Sequence, residues 1–178
     1  TPPGPVLDVG CGEGYYLSQL SVADTYGLDV SKAAVKMAAR AYPNTQFFVG
    51  TAYRLPVLEY SVGVVISVFA PHPFDEFSRV LRPDGWWVTV TPGPCHLQEI
   101  RPTVNGESAI KIGERMQRRS VPPPEATSAV RVKFVLDLSA DAAHDLFLMT
   151  PIRWQAVDRV DGPASVTVDV WVSSSRAG

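Results

Sequence analysis

A short apolar run that ends in an acidic residue and three alternating glycines constrains the fold of this chain more than any other feature. The run covers residues 6–14, with aspartate at position 8 and glycine at positions 10, 12 and 14. Glycine admits positive φ and lets the backbone approach a ligand where a Cβ would clash. Residues 13–20 have a helical pattern, and the free N–H groups of such a helix would point back at the turn. The sequence therefore predicts a strand, a nucleotide-binding turn and a helix.

The spacing of the glycines in this turn differs from that of the dinucleotide-binding fingerprint. That fingerprint is G-x-G-x-x-G and needs its third glycine for close helix packing, whereas the order here is Asp8-x-Gly10-x-Gly12-x-Gly14. The acid-first spacing resembles motif I of class I S-adenosylmethionine methyltransferases. S-adenosylmethionine offers an amine and a sulfonium instead of a pyrophosphate, so a carboxylate at Asp8 suits its cationic methionyl end, directly or through water. The alternative is a tight turn in another α/β protein.

Length and composition fit one folded domain, residues 1–178, with a substantial core. The chain has 178 residues, of which 46% are apolar and 19% charged. No apolar run approaches the roughly 20 residues of a membrane span, and no signal peptide precedes the first strand, so a cytoplasmic location is expected. With only Cys11 and Cys95 present, neither a disulfide framework nor a four-cysteine zinc site is expected. We expect no metal, and Cys11 as a small filler of the turn.

Charge is distributed unevenly along the chain. The formal net charge is −2, yet residues 101–133 carry 7 basic and 3 acidic groups, whereas residues 1–100 carry 6 and 9 and residues 134–178 carry 3 and 6. A polyanionic substrate would be met by the basic middle segment. The alternative is a solvated basic face on an insertion.

Alternating strand and helix patterns through residue 91 predict a parallel sheet. The expected order is strand from residue 6, strand 24–30, helix 32–41 capped by Ser31, strands 46–49 and 61–69, helix 74–81, turn 82–85 and strand 86–91. Residues 92–130 are rich in proline and glycine and predict a substrate-side insertion with a basic stretch at 110–119. Strand 131–138, helix 140–149 and strand 165–172 follow. The interpretation is the class I methyltransferase fold: a Rossmann-like, mainly parallel seven-stranded sheet with an antiparallel last strand.

Two faces are predicted from periodicity. Ala34, Met37, Ala38 and Ala41 mark the buried face of the helix at 32–41. In strand 131–138 the alternating residues expected to point inward are Val132, Phe134, Leu136 and Leu138.

Cofactor contacts are expected where the first four strands end, because ligands of open α/β sheets lie outside the carboxyl ends of the strands. Asp29 ends the second strand and is the candidate for the ribose hydroxyls, although it would also suit the dipole of the next helix. Thr51 and Ala52 are candidate neighbours of the adenine. The full set of predicted cofactor positions is Asp8, Gly10, Cys11, Gly12, Gly14, Tyr15, Asp29, Val30, Thr51, Ala52 and Ser67.

The acceptor is expected beside the exit of the fourth strand, which lies next to the donor methyl in methyltransferases of this class. Phe69 and Pro71 stand there, although a structural turn before the next helix would explain the proline equally well. His96 and Trp154 complete the predicted catalytic set. Phe69 and Trp154 are candidates for stacking on a base, and His96 for accepting a proton or bonding the base edge. A histidine bonded within its own loop is the alternative.

Four stretches resemble one methyltransferase family more closely. They are residues 6–16 with the double tyrosine, residues 26–32 (YGLDVSK), residues 91–97 (TPGPCHL) and residues 148–154 (LMTPIRW). Together they resemble the RlmA-type 23S rRNA (guanine-N1) methyltransferases, which include a tylosin-resistance enzyme. The resemblance implies methyl transfer to N1 of one guanine in a 23S rRNA hairpin, with macrolide resistance as its consequence.

The resemblance has two departures. The family carries a four-cysteine zinc domain ahead of motif I, and none precedes residue 6 here, so weak RNA affinity is expected for this chain alone. The segment between Trp154 and Ser165 is also shorter than in the family. Two other functions stay open: a small-molecule O- or N-methyltransferase of secondary metabolism with an apolar lid, and an inactive cofactor-binding module.

Overall fold

In a computed structural model, residues 4–100, 120–149 and 165–177 are described, and they contain seven strands in one sheet. The strands are β1 (Val6–Val9), β2 (Thr25–Asp29), β3 (Gln46–Val49), β4 (Val62–Val68), β5 (Leu81–Pro92), β6 (Ser128–Asp137) and β7 (Ser165–Arg176). The α-helices of the same residues are α1 (Tyr15–Ser18), α2 (Lys32–Ala41), α3 (Phe74–Val80) and α4 (Ala140–Met149). A 3₁₀ turn covers Gln98–Ile100.

The strand order is β3-β2-β1-β4-β5-β7-β6. The first five strands pair in parallel. Main-chain hydrogen bonds join Gly85 to Ala177, Gly93 to Asp169 and Leu97 to Thr167, so the partner residues run backwards as β5 and its loop run forwards. β7 is therefore antiparallel to β5. This confirms the predicted class I methyltransferase sheet, and the order reverses direction between β1 and β4, where such folds bind their ligands.

The described part of the chain forms two compact units. The first unit comprises Thr1–Val90, Pro123–Ala129 and Val172–Gly178, and the second comprises Thr91–Pro122 and Val130–Trp171. The core of the first unit includes Leu7, Val9, Leu28, Val65 and Phe77, all nearly inaccessible to solvent. These side chains come from β1, β2, β4 and α3, and they fix the strand ends on which the candidate site is built.

The helix after the glycine turn is shorter than the predicted span 13–20. α1 begins after Gly14, whose φ of 84° is left-handed, and covers only Tyr15–Ser18. The N–H groups of Gln19 and Leu20 donate to carbonyls three residues back, at Tyr16 and Leu17. Such bonds tighten the last turn into 3₁₀ geometry and end the α-helix.

The predicted turn at 82–85 lies inside β5 rather than before it. Pairing with β4 passes from Val62–Leu81 to Val64–Trp86, so six residues of β5 (81–86) face three of β4 (62–64). The extra residues form an irregularity in the pairing. Gly85 lies in it and is tightly enclosed, because an added Cβ would lie 3.0 Å from the carbonyl oxygen of Gly63. A bulge of this kind bends a strand without ending it.

Two predicted faces are wrong in part. In α2 the buried side chains are Val35 and Ala38, whereas Met37 is 51% exposed. Every residue of β6 is exposed, including Val132, Phe134 and Leu136, which alternation placed inward. Period-two alternation locates a strand, but a strand at the edge of a sheet buries a face only where another layer covers it.

Two kinds of feature are absent from the described residues. Among them no helix is long and apolar enough to cross a membrane. The same part of the chain contains no group of three or more His, Cys, Asp or Glu side chains suited to a metal ion.

Candidate functional site

The glycine turn follows β1 as the spacing predicts. Gly10, Gly12 and Gly14 have φ of 83°, 53° and 84°, in a region of backbone conformation that residues other than glycine rarely adopt. The N–H groups of Gly10 and Cys11 both donate to the carbonyl of Leu28, at 2.7 and 3.0 Å. A Cβ on Gly12 would meet no described atom within 4 Å. The turn is thus fastened to β2, while Gly12 faces open space where a ligand can approach.

Asp8 is a buried carboxylate without a partner among the described residues. It is 1% exposed, and neither of its oxygens has a hydrogen-bond partner among the residues that the structure describes. Burial, and then the nearby charge of Asp29, raises the pKa of Asp8 to about 7. Leaving a carboxylate buried and unpaired is costly, so such a group indicates a missing cationic or hydrogen-bonding partner.

Two neighbours of Asp8 stay uncharged at neutral pH. Burial, with Asp8 and Asp29 adding to it, raises the pKa of the Cys11 thiol to about 12. Burial also raises the pKa of Tyr16, with Asp8 as the next cause. Cys11 is therefore a thiol rather than a nucleophilic thiolate, in keeping with a filler of the turn.

Asp29 connects the glycine turn to α2. Its Oδ2 accepts a hydrogen bond from the Gly12 N–H at 2.9 Å, and its Oδ1 accepts one from the Ser31 N–H at 2.8 Å. The Ser31 hydroxyl in turn accepts from the N–H of Ala34 and caps α2. Each carboxylate oxygen has a further lone pair. Asp29 therefore orients the turn and the helix start, and its remaining acceptor capacity suits ribose hydroxyls.

The outer cofactor candidates differ in exposure. Val30 is 77% exposed and Tyr15 61%, although both are large apolar side chains. Thr51 is exposed, and its hydroxyl accepts from the N–H of Tyr53 at 3.4 Å, whereas Ala52 is buried. Exposed apolar side chains beside a glycine turn suit the flat face of a base. The contact of these four residues with the adenosine stays a prediction.

The loop that follows Thr51 and Ala52 is held by an ion pair on α3. Glu76 pairs with Arg79 at 2.8 Å and also accepts from the Leu55 N–H. Arg79 donates to the carbonyls of Leu55 and Val57, at 2.9 Å each. The hydrogen bond from Arg79 lowers the pKa of Glu76 to about 2. This fixed loop follows directly on the predicted adenine residues.

The exit of β4 packs against the glycine turn. A Cβ on Gly10 would lie 2.3 Å from the Cβ of Ala70. Phe69 is 52% exposed and has a φ of 54°, an unusual value for a bulky residue, and Pro71 is also exposed. Ser67 is buried, and its hydroxyl bonds the carbonyls of Ala70 and Pro71 at 3.4 and 3.3 Å. Ser67 thus shapes this turn, and its predicted contact with the cofactor stays a prediction.

The remaining catalytic candidates lie elsewhere in the chain. His96 belongs to the second unit, where its Nδ1 accepts from the main-chain N–H of Asp169 at 3.3 Å. Trp154 lies outside the described residues. Within the first unit, Phe69 and Pro71 thus lie next to the glycine turn. His96 belongs to the second unit.

The sequence interpretation overlooked Asp169 of β7. Its carboxylate is fully buried and forms two hydrogen bonds of 2.8 Å to the Arg131 guanidinium, and it also accepts from the Cys95 N–H at 2.8 Å. These contacts, with Arg131 first, lower the pKa of Asp169 to about 2. The sequence feature that could have identified Asp169 is that it is a single acid among the alternating valines of 166–172.

The residues at the ends of β1 and β2 fit S-adenosylmethionine. Asp8 supplies an unpaired buried carboxylate for a cationic group, Gly12 leaves open space, and Asp29 retains acceptor capacity for hydroxyls. All three belong to the first unit. A dinucleotide would instead call for a pyrophosphate at a helix N-terminus, whereas α1 is a single turn.

Residues 7–89 match a sequence family described as a methyltransferase domain. The match begins within β1 and ends within β5, so it contains the glycine turn, Asp29 and the exit of β4. The chain contains a methyltransferase domain.

Two relatives extend the similarity beyond this methyltransferase domain. One is the 23S rRNA (guanine(748)-N(1))-methyltransferase of Streptomyces fradiae, 32% identical over 85% of this chain and 56% of its own length. The other is YxjB of Bacillus subtilis, to which 23S rRNA (guanine-N1) methyltransferase activity is provisionally assigned, 32% identical over 93% of this chain and 64% of its own. The chain thus spans less than two thirds of either relative. The resemblance to the 23S rRNA (guanine-N1) methyltransferases is confirmed.

A solved structure supports the fold alone. The YcgJ protein of Bacillus subtilis superposes with a TM-score of 0.62 at 18% sequence identity, covering 98% of this chain and 92% of that one.

Proposed function

We propose that this chain transfers a methyl group from S-adenosylmethionine to N1 of a guanine in 23S rRNA. The observation that supports this most is the similarity to the two rRNA methyltransferase relatives, which continues past residue 89 and covers 85% and 93% of the chain. The methyltransferase domain alone would be equally compatible with a small-molecule acceptor.

The cofactor roles follow from the first unit. Asp8 would hold the cationic methionyl end, because its carboxylate is buried and unpaired in the described residues. Asp29 would bind the ribose hydroxyls while it keeps its bonds to Gly12 and Ser31. Val30, Thr51 and Ala52 would contact the adenine. When bound, S-adenosylmethionine supplies an electrophilic methyl group on a sulfonium.

The acceptor chemistry requires positioning more than acid or base strength. Guanine N1 carries a proton that leaves as the N1–methyl bond forms, while sulfur keeps the electron pair of its broken bond. Alignment and exclusion of water supply most of the rate in such a displacement. N1 is hidden in a base pair, so the guanine must come from a loop or be flipped out of its stack.

Phe69 is the acceptor candidate with the best structural support. Its ring is half exposed at the exit of β4, and the residue after it packs on the glycine turn. Stacking on an aromatic ring is worth about 1 to 3 kcal/mol per base. Pro71 would stiffen the same turn. Trp154 would supply a second ring, and His96 would contact the edge of the base.

The partner is proposed to be a hairpin of 23S rRNA, and protection against tylosin-type macrolides is proposed as one consequence of its methylation. An rRNA substrate would place the enzyme in the cytoplasm, where ribosomes are made and used.

The decisive experiment maps the modification. The full chain is incubated with labelled S-adenosylmethionine and unmodified 23S rRNA, and primer extension then locates new stops, because N1 methylation destroys Watson–Crick pairing. We expect one new stop at a guanine. Transfer to a ribose, to another base or only to a small molecule would contradict the proposal, and binding without turnover would favour an inactive module.

Two variants refine the acceptor assignment. Phe69→Leu keeps apolar bulk and removes the ring, and Trp154→Ala removes the second ring. Each should weaken the stop while the dissociation constant for S-adenosylmethionine stays nearly unchanged. Tyr60→Leu is a matched control, because Tyr60 is also exposed and also has a positive φ, of 53°.

A further inference from the structure

His72 stands just past the exit of β4, and its imidazole is held on two sides. Its Nδ1 lies 3.1 Å from the carbonyl oxygen of Ala70, and its ring centre lies 5.4 Å from that of Phe74. Phe74 in turn packs against Trp87, with ring centres 4.7 Å apart, and Trp87 is only 4% exposed. A main-chain carbonyl and an aromatic cluster therefore fix the direction of the His72 ring.

The backbone that carries this ring is stiff. Pro71 and Pro73 flank His72. Proline fixes its own φ and restricts the residue before it to extended conformations. Pro73 is also the N-cap of α3, with φ of −71°. His72 therefore joins β4 to α3 through a short, rigid connection, which suits a side chain that must be positioned before the acceptor arrives.

The ring lies next to a residue that packs on the glycine turn. Ala70, whose carbonyl accepts from His72, is the residue whose Cβ would lie 2.3 Å from a Cβ on Gly10. His72, Ala70 and Gly10 all belong to the first unit. Ligands of open α/β sheets bind outside the carboxyl ends of the strands where the strand order reverses, which here is between β1 and β4. His72 thus belongs to the strand ends at which donor and acceptor are proposed to meet.

The contact with Ala70 decides which ring nitrogen of His72 carries the proton. A carbonyl oxygen can only accept, so Nδ1 must donate its N–H. In a neutral imidazole the lone pair then resides on Nε2. Nε2 has no hydrogen-bond partner within the described part of the chain, and the side chain is only half-buried. Neutral His72 therefore offers one proton acceptor of fixed direction.

We propose that His72 is the base that accepts the N1 proton of the guanine during methyl transfer. This inference rests on the proposed function for the identity of the acceptor. As the N1–methyl bond forms, the methyl–sulfur bond breaks and its electron pair stays on sulfur. The N1–H bond breaks at the same time, and its proton bonds to Nε2 of His72. The imidazolium then passes this proton to water.

A positioned base suits this acceptor because the N1 proton must leave before the product is neutral. Proton transfer to a positioned side chain contributes about 10²- to 10⁴-fold to a rate, beside the larger effect of alignment. The two carboxylates at the same strand ends suit the task less well. Asp8 is 1% exposed, and both oxygens of Asp29 already accept main-chain hydrogen bonds.

Asparagine distinguishes a base from a residue that only shapes the turn. In His72→Asn the amide nitrogen is attached to Cγ, as Nδ1 is, and can still donate to Ala70, but an amide takes up no proton at neutral pH. We expect kcat for guanine methylation to fall on the order of a hundredfold or more, with the KM for 23S rRNA and the affinity for S-adenosylmethionine nearly unchanged. A fall of less than about tenfold overturns the base role.

His144→Asn is the matched control, because His144 is exposed on α4. It should keep the rate of the unaltered chain. Added imidazole gives a second readout. In His72→Ala it should restore part of the lost rate in proportion to its concentration, whereas His144→Ala should not respond. A loss in His72→Ala that imidazole leaves unchanged assigns His72 to the structure of the turn alone and overturns the base role.

The tautomer of His72 is tested without any reaction. The chain has three histidines, and nitrogen-15 NMR of the full chain reports which ring nitrogen of each is protonated. The loss of one ring signal in each single variant, His72→Asn, His96→Gln and His144→Asn, assigns the signals, and any two of them suffice. We expect neutral His72 to carry its proton on Nδ1. A proton on Nε2 overturns the proposal whether or not His72→Asn folds.

The base role and the proposed function fail differently. If the unaltered chain binds S-adenosylmethionine but methylates no guanine, the proposed function fails, and the base role toward guanine fails with it. If the unaltered chain methylates a guanine and His72→Asn does so at the same rate, only the base role fails.

Discussion

At the scale of single residues, Asp8, the residue proposed for the methionyl end of the cofactor, makes stability depend on pH. Its pKa is raised from 3.8 to about 7 by burial and by Asp29. Between these values the folded protein holds a proton that the unfolded chain has lost. The contribution of Asp8 to stability is therefore full below about pH 4 and is lost as pH rises through about 7, by at most about 1.4 kcal/mol per pH unit.

Asp8→Asn should remove this dependence, because an amide does not ionise. The free energy of unfolding of the variant minus that of the unaltered chain should rise from pH 4 to pH 7.5, measured by urea denaturation without cofactor. A difference that stays constant over this range would show that Asp8 does not titrate in the fold.

Asp29 is expected to control affinity for the cofactor. In Asp29→Asn the amide NH₂ replaces one carboxylate oxygen and would face the N–H of Gly12 or Ser31, which both donate. We expect calorimetry to show S-adenosylmethionine binding weakened by about 1 to 3 kcal/mol. Asp24→Asn, at an exposed position just before β2, is the control. Equal affinity in both variants would remove Asp29 from the site.

At the scale of elements, the sequence predicted the bounds of some strands and helices correctly and of others incorrectly. α2, β3 and α4 have the predicted bounds. α1 is shorter, since its end depends on 3₁₀ bonds of Gln19 and Leu20 rather than on a helix-breaking residue. The inward face of β6 was wrong because alternation does not reveal whether a second layer covers an edge strand.

The pairing of β6 with β7 through Arg131 and Asp169 should be visible in stability. The pKa of Asp169 is lowered to about 2, chiefly by Arg131, so its contribution is present above the ordinary range near 4 and is lost as pH falls through about 2. Arg131→Gln should lower the urea midpoint at pH 7, and the difference from the unaltered chain should shrink below pH 4.

Lys133→Gln is the matched control for Arg131→Gln. Lys133 is exposed on the same strand, and it acts on Asp169 only as a nearby charge. We expect a much smaller change of the urea midpoint. Equal effects of the two variants would show that charge near Asp169, rather than the bidentate pair, stabilises the strand pair.

At the scale of the whole molecule, the residues proposed for the cofactor are easier to place together from the sequence than the residues proposed for the acceptor. Asp8, Asp29 and the three glycines are adjacent to strand ends, so local spacing and a parallel sheet already place them together. Asp169 is 73 residues from His96 in sequence, and no local pattern links an acid in the last strand to a loop after β5. Long-range polar contacts of this kind can be predicted only once the order of the strands in the sheet is known.

The basic segment at residues 101–133 is where we expect the chain to contact RNA. The net charge is only −2, yet residues 101–133 carry an excess of four positive charges, and Lys111, Arg115, Arg118 and Arg119 stand in it, outside the described residues. If Arg115, Arg118 and Arg119 contact phosphates, replacing them with Gln should weaken RNA binding. It should also reduce the slope of log K against log salt by about 0.7 to 0.9 per lost contact, because fewer counterions are released. Replacing Lys32, Lys36 and Arg40, exposed on α2, removes equal charge, and equal slopes in the two triple variants would place the RNA elsewhere.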